Sequence, residues 1–216
     1  MEVAMIKKSL LLVAALTLAF AAPVAGAAFD DSAWYVSGYL GGTLLNDSKI
    51  TIPGAGGGEF DVEYDFGYNL GGTVGYEFQA YRAELELSHK TSSVKNAIGP
   101  SAGRVNADGD VSSTALMLNG IIDFKSASSL TPYLGLGLGF ASVEVKDFTV
   151  ETATEKVSDK SGVGAWQIIA GLSVDLSDKF LLDFIYKYFR TADATIGNAD
   201  VGYASNNFSA GVRYRF

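Results

Sequence analysis

A period-two alternation sustained over residues 63–78 limits this chain more than any other feature. Tyr64, Phe66, Tyr68, Leu70, Val74, Tyr76 and Phe78 alternate with Glu63, Asp65, Asn69, Thr73 and Glu77. Successive side chains of an extended chain point to opposite faces, so the segment reads as a strand with one apolar and one polar face. Residues 81–88 repeat the pattern, with Tyr81, Ala83, Leu85 and Leu87 on one side and Arg82, Glu84, Glu86 and Ser88 on the other. The link Gln79-Ala80 between them reads as a hairpin turn. The same rule places strands at about 34–44, 63–78, 81–88, 112–124, 131–143, 162–176, 180–189 and 205–216, eight in all.

The connections alternate in length. Those at 45–62, 89–111, 144–161 and 190–204 are long, and those at 79–80, 125–130 and 177–179 are short. The long ones are rich in Gly, Asp, Asn, Ser and Thr, as in PGAGGGE at 53–59 and NADGD at 106–110, and are expected to be solvated and mobile. A soluble β-sandwich also alternates along its strands, but its loops need not alternate in length. On this assignment the apolar face carries no charged residue. A lipid-facing surface demands that, because a charge there costs about 2–4 kcal/mol at mid-membrane. Beyond the N-terminal segment no run of about 18 apolar residues remains, and spanning a bilayer without helices requires a closed barrel. The expected fold class is therefore all-β, an eight-stranded antiparallel up-and-down transmembrane β-barrel, with short periplasmic turns and long outer loops. Trp34, Phe78, Tyr81, Phe124, Phe180, Tyr214 and Phe216 then gather at the periplasmic rim, and Tyr64, Phe66, Tyr186, Tyr188 and Phe208 form the opposite belt.

At the N-terminus, Lys7 and Lys8 precede an apolar run from Leu10 to about Ala22 and the small-residue stretch Ala25-Gly26-Ala27. This is the pattern of a secretory signal, expected to be cleaved after Ala27 and to leave residues 28–216 as the barrel domain. An uncleaved anchor is the alternative, and Met5 is a second candidate start. Cleavage would remove Glu2, Lys7 and Lys8 and move the net charge from −8 to −9. So acidic a chain repels nucleic acid and anionic lipid headgroups, which argues against a nucleic-acid partner. It has no cysteine, so an exported form is held together by its sheet or its core rather than by disulfides.

The last strand, Asn207-Phe-Ser-Ala-Gly-Val-Arg-Tyr-Arg-Phe216, ends on an aromatic residue, with Phe208, Val212 and Tyr214 at alternating positions before it. Phe208, Val212, Tyr214 and Phe216 resemble the C-terminal signal read by the barrel-assembly machinery. RAELELSHK at 82–90 and TPYLGLGLGFA at 131–141 are similar to segments of the small outer membrane β-barrel family, the OmpA/OmpX-like group often labelled porin family. The likeness covers nearly the whole mature chain. It implies a Gram-negative outer membrane and a polar barrel interior, but no single function, because members include stability proteins, adhesins, surface antigens and small pores. The chain stops at Phe216, without the periplasmic domain that OmpA carries, so tethering to peptidoglycan is not expected.

The inward face collects Glu63, Asp65, Glu77, Arg82, Glu84, Glu86, Asp123, Asp175, Asp183, Lys187, Arg213 and Arg215, most of them in the periplasmic half. Eight strands leave an interior just wide enough for side chains, so these groups are expected to interlock as an ion-pair network. The functional alternative has Arg82, Lys187, Arg213 and Arg215 rearranging to pass small ions, with the acid excess favouring cations. His89 is the only histidine and lies beside Ser88 and near Thr91. Glu86, the nearest acid, is three residues away and so on the opposite face of the strand, which argues against a catalytic triad. One His and no Cys exclude a typical zinc site, and Asn106, Asp108 and Asp110 lack EF-hand spacing and read as a polar turn. The glycines of Leu134-Gly-Leu-Gly-Leu-Gly139 fall in mid-strand, as small inward residues in a narrow lumen.

The expectation is thus a structural and surface-interaction protein acting through four extracellular loops, with no enzymatic activity and no cofactor. A low-conductance porin is the alternative and a lipid-modifying barrel enzyme a third. The expected partners are outer-membrane lipid and lipopolysaccharide, the assembly machinery during biogenesis, and an extracellular ligand or host surface.

Overall fold

The computed structural model describes residues 32–216 apart from 47, 52–58, 65, 100–102, 126–127, 151–156, 193, 197–198 and 202. The proposed signal, residues 1–27, therefore lies outside the described residues, as do Asp65 and most of the 53–59 stretch.

Every described element is a strand. They are β1 (Ser32–Leu45), β2 (Ser48–Thr51), β3 (Glu59–Tyr64), β4 (Gly67–Phe78), β5 (Tyr81–Gly99), β6 (Gly103–Asp123), β7 (Leu130–Val150), β8 (Val157–Asp175), β9 (Phe180–Thr191), β10 (Ala194–Ile196), β11 (Ala199–Val201) and β12 (Ala204–Arg215). Eight of them close a ring in the order β1-β4-β5-β6-β7-β8-β9-β12, all neighbours antiparallel. First and last strands seal it, from Tyr35↔Arg215 to Leu45↔Ser205. Closure leaves no unpaired edge in the bilayer, where an unsatisfied backbone group costs several kcal/mol.

The burial pattern follows the alternation. Leu70, Val74, Leu87, Leu118, Leu138, Phe184 and Val212 are exposed on the outside of the ring, and Asn69, Thr73, Glu86, Asn119, Gln167 and Lys187 are buried inside it. At the periplasmic end Phe78 stacks on Tyr81 at 5.6 Å, and Tyr214 lies 5.0 Å from Phe180 and 5.3 Å from Phe216. The opposite belt pairs Tyr186 with Phe208 at 5.1 Å, and includes Trp166, which meets Tyr188 at 5.6 Å. The turn at Gln79-Ala80 places Gln79 at φ 52°, the left-handed region that a tight hairpin imposes.

The outer connections differ from expectation. Instead of mobile loops over 89–111 and 144–161, β5 runs on to Gly99 and β6 begins at Gly103, and β7 and β8 extend to Val150 and from Val157. The two hairpins form a sheet that rises beyond the aromatic belt. Residues 45–62 and 190–204 carry the short hairpins β2–β3 and β10–β11, joined at Asp200↔Thr51. Asp108-Gly109-Asp110, read above as a turn, lies within β6 where the register shifts against both neighbours. Such a β-bulge uses the same residue types as a turn without ending the strand. The stretch 63–78 is likewise two strands, β3 and β4, which pair in succession with β5.

Candidate functional site: a filled lumen below an outer sheet

Space inside an eight-stranded ring is made by glycine. Tyr35, Tyr39 and Tyr133 point inward opposite Gly75, Gly71 and Gly171 on the adjacent strands. A methyl group on any of these glycines would sit 2.2–2.5 Å from the ring carbon of its tyrosine. Gly135, Gly137 and Gly139 of β7 clear room in the same way for Ile121, Asn119 with Gln167, and Met117.

The interior is layered from the periplasm outward. At the mouth, Glu77 meets Arg215 Nε at 3.2 Å, Arg213 at 3.8 Å and Lys125 at 4.0 Å. Arg215 is half-buried and Asp175, 3.9 Å from it, is 44% exposed, so these two belong to the rim rather than to the interior. Above them Arg213 donates to Asp183 at 2.6 and 3.0 Å and to Ser173 at 2.9 Å. Arg82 donates to Asp123 through Nε at 2.9 Å and to Glu84 at 3.0 Å, and Glu84 accepts from the Tyr35 hydroxyl at 2.6 Å. Both guanidinium groups face aromatic rings, Arg82 over Tyr133 at 4.6 Å and Arg213 over Tyr35 at 5.2 Å.

The next layer has one centre. Glu86, fully buried, accepts four hydrogen bonds: from Lys187 Nζ at 2.7 Å and Tyr39 on Oε1, and from Asn119 at 2.7 Å and Gln167 at 2.9 Å on Oε2. Above it Lys90 donates to Ser88 at 3.0 Å and lies over the Phe189 ring at 4.0 Å. The outermost layer holds an apolar cluster, with Met117, Phe189, Ala115, Val143, Ala141, Ala165, Val111 and Tyr203 packed together and buried. Ser92, Ser113, Thr191 and Ser205 are buried at the same level, so polar side chains continue into the outer half of the interior, while the ion pairs lie below it.

Among the described residues five buried carboxylates (Glu77, Glu84, Glu86, Asp123, Asp183) face four buried cations (Arg82, Lys90, Lys187, Arg213), with the Arg215–Asp175 pair at the rim. Lys90, which lies beyond the strand end read at 88, narrows the acid excess expected from the sequence, while Asp65 and the Glu63 side chain lie outside the described residues. Two cavities occur in this region. One of about 170 Å³ opens at the mouth among Lys125, Asp175, Arg213 and Arg215, and one of about 20 Å³, room for one water, lies between Arg82, Glu84, Tyr133 and Asp183.

Sequence reasoning missed Tyr35, Tyr39, Tyr133, Lys90, Asn119 and Gln167. Their parity follows from the outward residues beside them, but which of them meet depends on the stagger between strands. The Glu63 side chain is not among those described. His89 lies outward and is 3.0 Å from Thr114 Oγ1, whereas Ser88 faces the lumen, so hydroxyl and imidazole sit on opposite sides of the wall. Among the described residues no three His, Cys, Asp or Glu side chains converge to hold a metal ion.

A closed, lipid-faced ring with short turns at one end is the architecture shared by outer membrane barrels, and residues 12–216 match the family model described as outer membrane protein beta-barrel domain. The chain belongs to that family. This outer membrane β-barrel is 28% identical over 127 residues to outer membrane protein PagN of Salmonella typhimurium, covering 52% of this chain and 53% of PagN. The chain thus spans about half the length of the curated relatives it matches first. It is 22% identical to the putative adhesin RP828 of Rickettsia prowazekii over 96% of this chain and 99% of that protein. Among solved structures, Neisserial surface protein A superposes with a TM-score of 0.55 at 19% identity, covering 86% of this chain and 99% of the other, a likeness of fold. The barrel is accordingly a protein of the Gram-negative outer membrane.

Proposed function

We propose that this outer membrane barrel is a non-enzymatic surface-interaction protein whose ring anchors an outer sheet. The observation that carries the reading is the filled lumen: above the four-donor site at Glu86 come the buried Lys90–Ser88 pair and then a packed cluster in which Met117 and Phe189 are fully buried. A narrow lumen packed at this level with apolar side chains and uncharged hydroxyls opposes ions, because moving a charge through it without hydration costs far more than thermal energy. The binding surface is then what projects, namely the outer halves of β5–β8 and the hairpins β2–β3 and β10–β11. The likeness to a putative adhesin supports this direction. Within the same proposal, residues 1–27 serve as a cleaved export signal and Phe208, Val212, Tyr214 and Phe216 as the assembly signal. Phe208, Val212 and Phe216 present exposed side chains to the lipid-facing side of the last strand.

The test joins two measurements on refolded barrel. In planar bilayers the protein should give no reproducible conductance steps. Cells displaying it should bind a surface that cells displaying a barrel with shortened β5–β6 and β7–β8 hairpins do not. Steady small steps in the bilayer, with no binding difference, would replace this reading with the porin one.

A further inference from the structure

We propose that Trp166, Tyr188 and Arg190 form a binding site for the phosphate of a phosphorylated, acylated sugar of the lipopolysaccharide type in the outer leaflet. The outward row of β9 reads Phe180, Leu182, Phe184, Tyr186, Tyr188, Arg190, five apolar or aromatic side chains and then a cation. Phe180 packs on Tyr214 at the periplasmic rim. Ten residues at about 3.4 Å each, tilted by about 40°, raise Arg190 about 26 Å above Phe180. The apolar band of such barrels is about 25 Å tall, so the guanidinium stands where the lipid phosphates of the outer leaflet begin.

Its surroundings suit that ligand. Arg190 is exposed and makes no hydrogen bond or ion pair with a described residue. Trp166 is its directly paired neighbour on β8, and the Trp166 ring lies 5.6 Å from that of Tyr188. Beyond Trp166 on the same face come Gly164 and Gly162, where an added methyl would meet nothing within 4 Å. These glycines pair with Phe140, 77% exposed, and Ser142 on β7. The result is a shallow recess floored by backbone, with aromatic rings on the membrane side and a guanidinium beside it. Acyl chain and sugar face meet the rings, and the planar fork of Arg190 matches a phosphate. Around the rest of the outer rim the outward positions Thr91, Ser112 and Asn206 are uncharged, and Arg190 is the one outward cation at that level among the described residues. The sugar platform favours a glycolipid over a phospholipid.

The experiment uses the full barrel in detergent micelles with Trp34→Phe, which leaves Trp166 as the only indole. Titration with purified lipopolysaccharide should give a saturable shift in Trp166 emission. Arg190→Ala should weaken it about tenfold, equivalent to about 1.4 kcal/mol, and Arg190→Gln, which keeps the stem, should do the same if the alanine variant refolds poorly. Lys179→Ala, at the other rim, should leave it unchanged. Equal affinity for dephosphorylated lipopolysaccharide, equal affinity for phosphatidylglycerol, or an unchanged affinity in both Arg190 variants would each overturn the assignment.

Discussion

Replacing Glu86 by glutamine changes one atom and should cost a large part of the barrel's stability. The carboxylate accepts two hydrogen bonds on each oxygen, from Lys187 and Tyr39 on one and from Asn119 and Gln167 on the other. A glutamine keeps one acceptor oxygen and turns the other into a donor, so at least two of these donors face an N–H. Each buried donor left without an acceptor costs about 1–3 kcal/mol. The Lys187 ammonium, 4% exposed, also loses its counter-charge. Together the loss is about 3–5 kcal/mol, the range for breaking a buried ion pair from one side. Urea unfolding of the refolded protein in lipid vesicles, followed by tryptophan emission, measures it. Adding Lys187→Met to Glu86→Gln removes the stranded cation and should recover about half the loss. A single-variant loss below about 1 kcal/mol, or a double variant whose loss is the sum of the two single ones, would refute the view of Glu86 as the centre of one coupled layer.

Four further outcomes are expected. Gly75→Ala should cost about 1–3 kcal/mol by driving a methyl into the Tyr35 ring, whereas Gly38→Ala, facing open space, should be near neutral in the same unfolding assay. Phe189→Ala should lose about 3–5 kcal/mol through the cavity it leaves beside Met117, and a dye-accessibility measurement should find Lys90 more reactive once its ring cover is gone. Gln79→Gly should raise stability by up to about 1 kcal/mol, since φ 52° strains any residue with a Cβ. His89→Ala should leave the lipid A mass spectrum of expressing cells unaltered, because Ser88 lies on the opposite side of the wall.

The membrane-spanning ring was legible because each of its strands has to satisfy lipid on one side, and that requirement writes itself into every second residue. Arg82, Glu84 and Glu86 could be placed inside from Tyr81, Ala83, Leu85 and Leu87 alone. Beyond the bilayer that constraint lapses. The outer parts of β5 to β8 carry Ser, Thr, Asn, Asp and Gly, which suit a water-exposed strand as well as a loop, so composition could not distinguish the two. Asp108-Gly109-Asp110 shows the ambiguity at its sharpest. The interior partners were hidden for another reason: Glu86 joins Gln167 and Lys187, which are 81 and 101 residues away, only through the stagger of strands around the ring.

Alternation has a blind spot that the tyrosine–glycine pairs cover. A slip of one residue between β1 and β4 turns the apolar face inward and is excluded at once. A slip of two leaves every face correct, so lipid contact and lumen polarity cannot detect it. In the native register Tyr35 and Tyr39 meet Gly75 and Gly71. After a slip of two they would meet Thr73 and Asn69, or Glu77 and Thr73, side chains that occupy the room the rings need. Two clearances four residues apart on one strand thus act as a key that only one alignment turns, and with it they choose the stagger that sets how wide the ring can be.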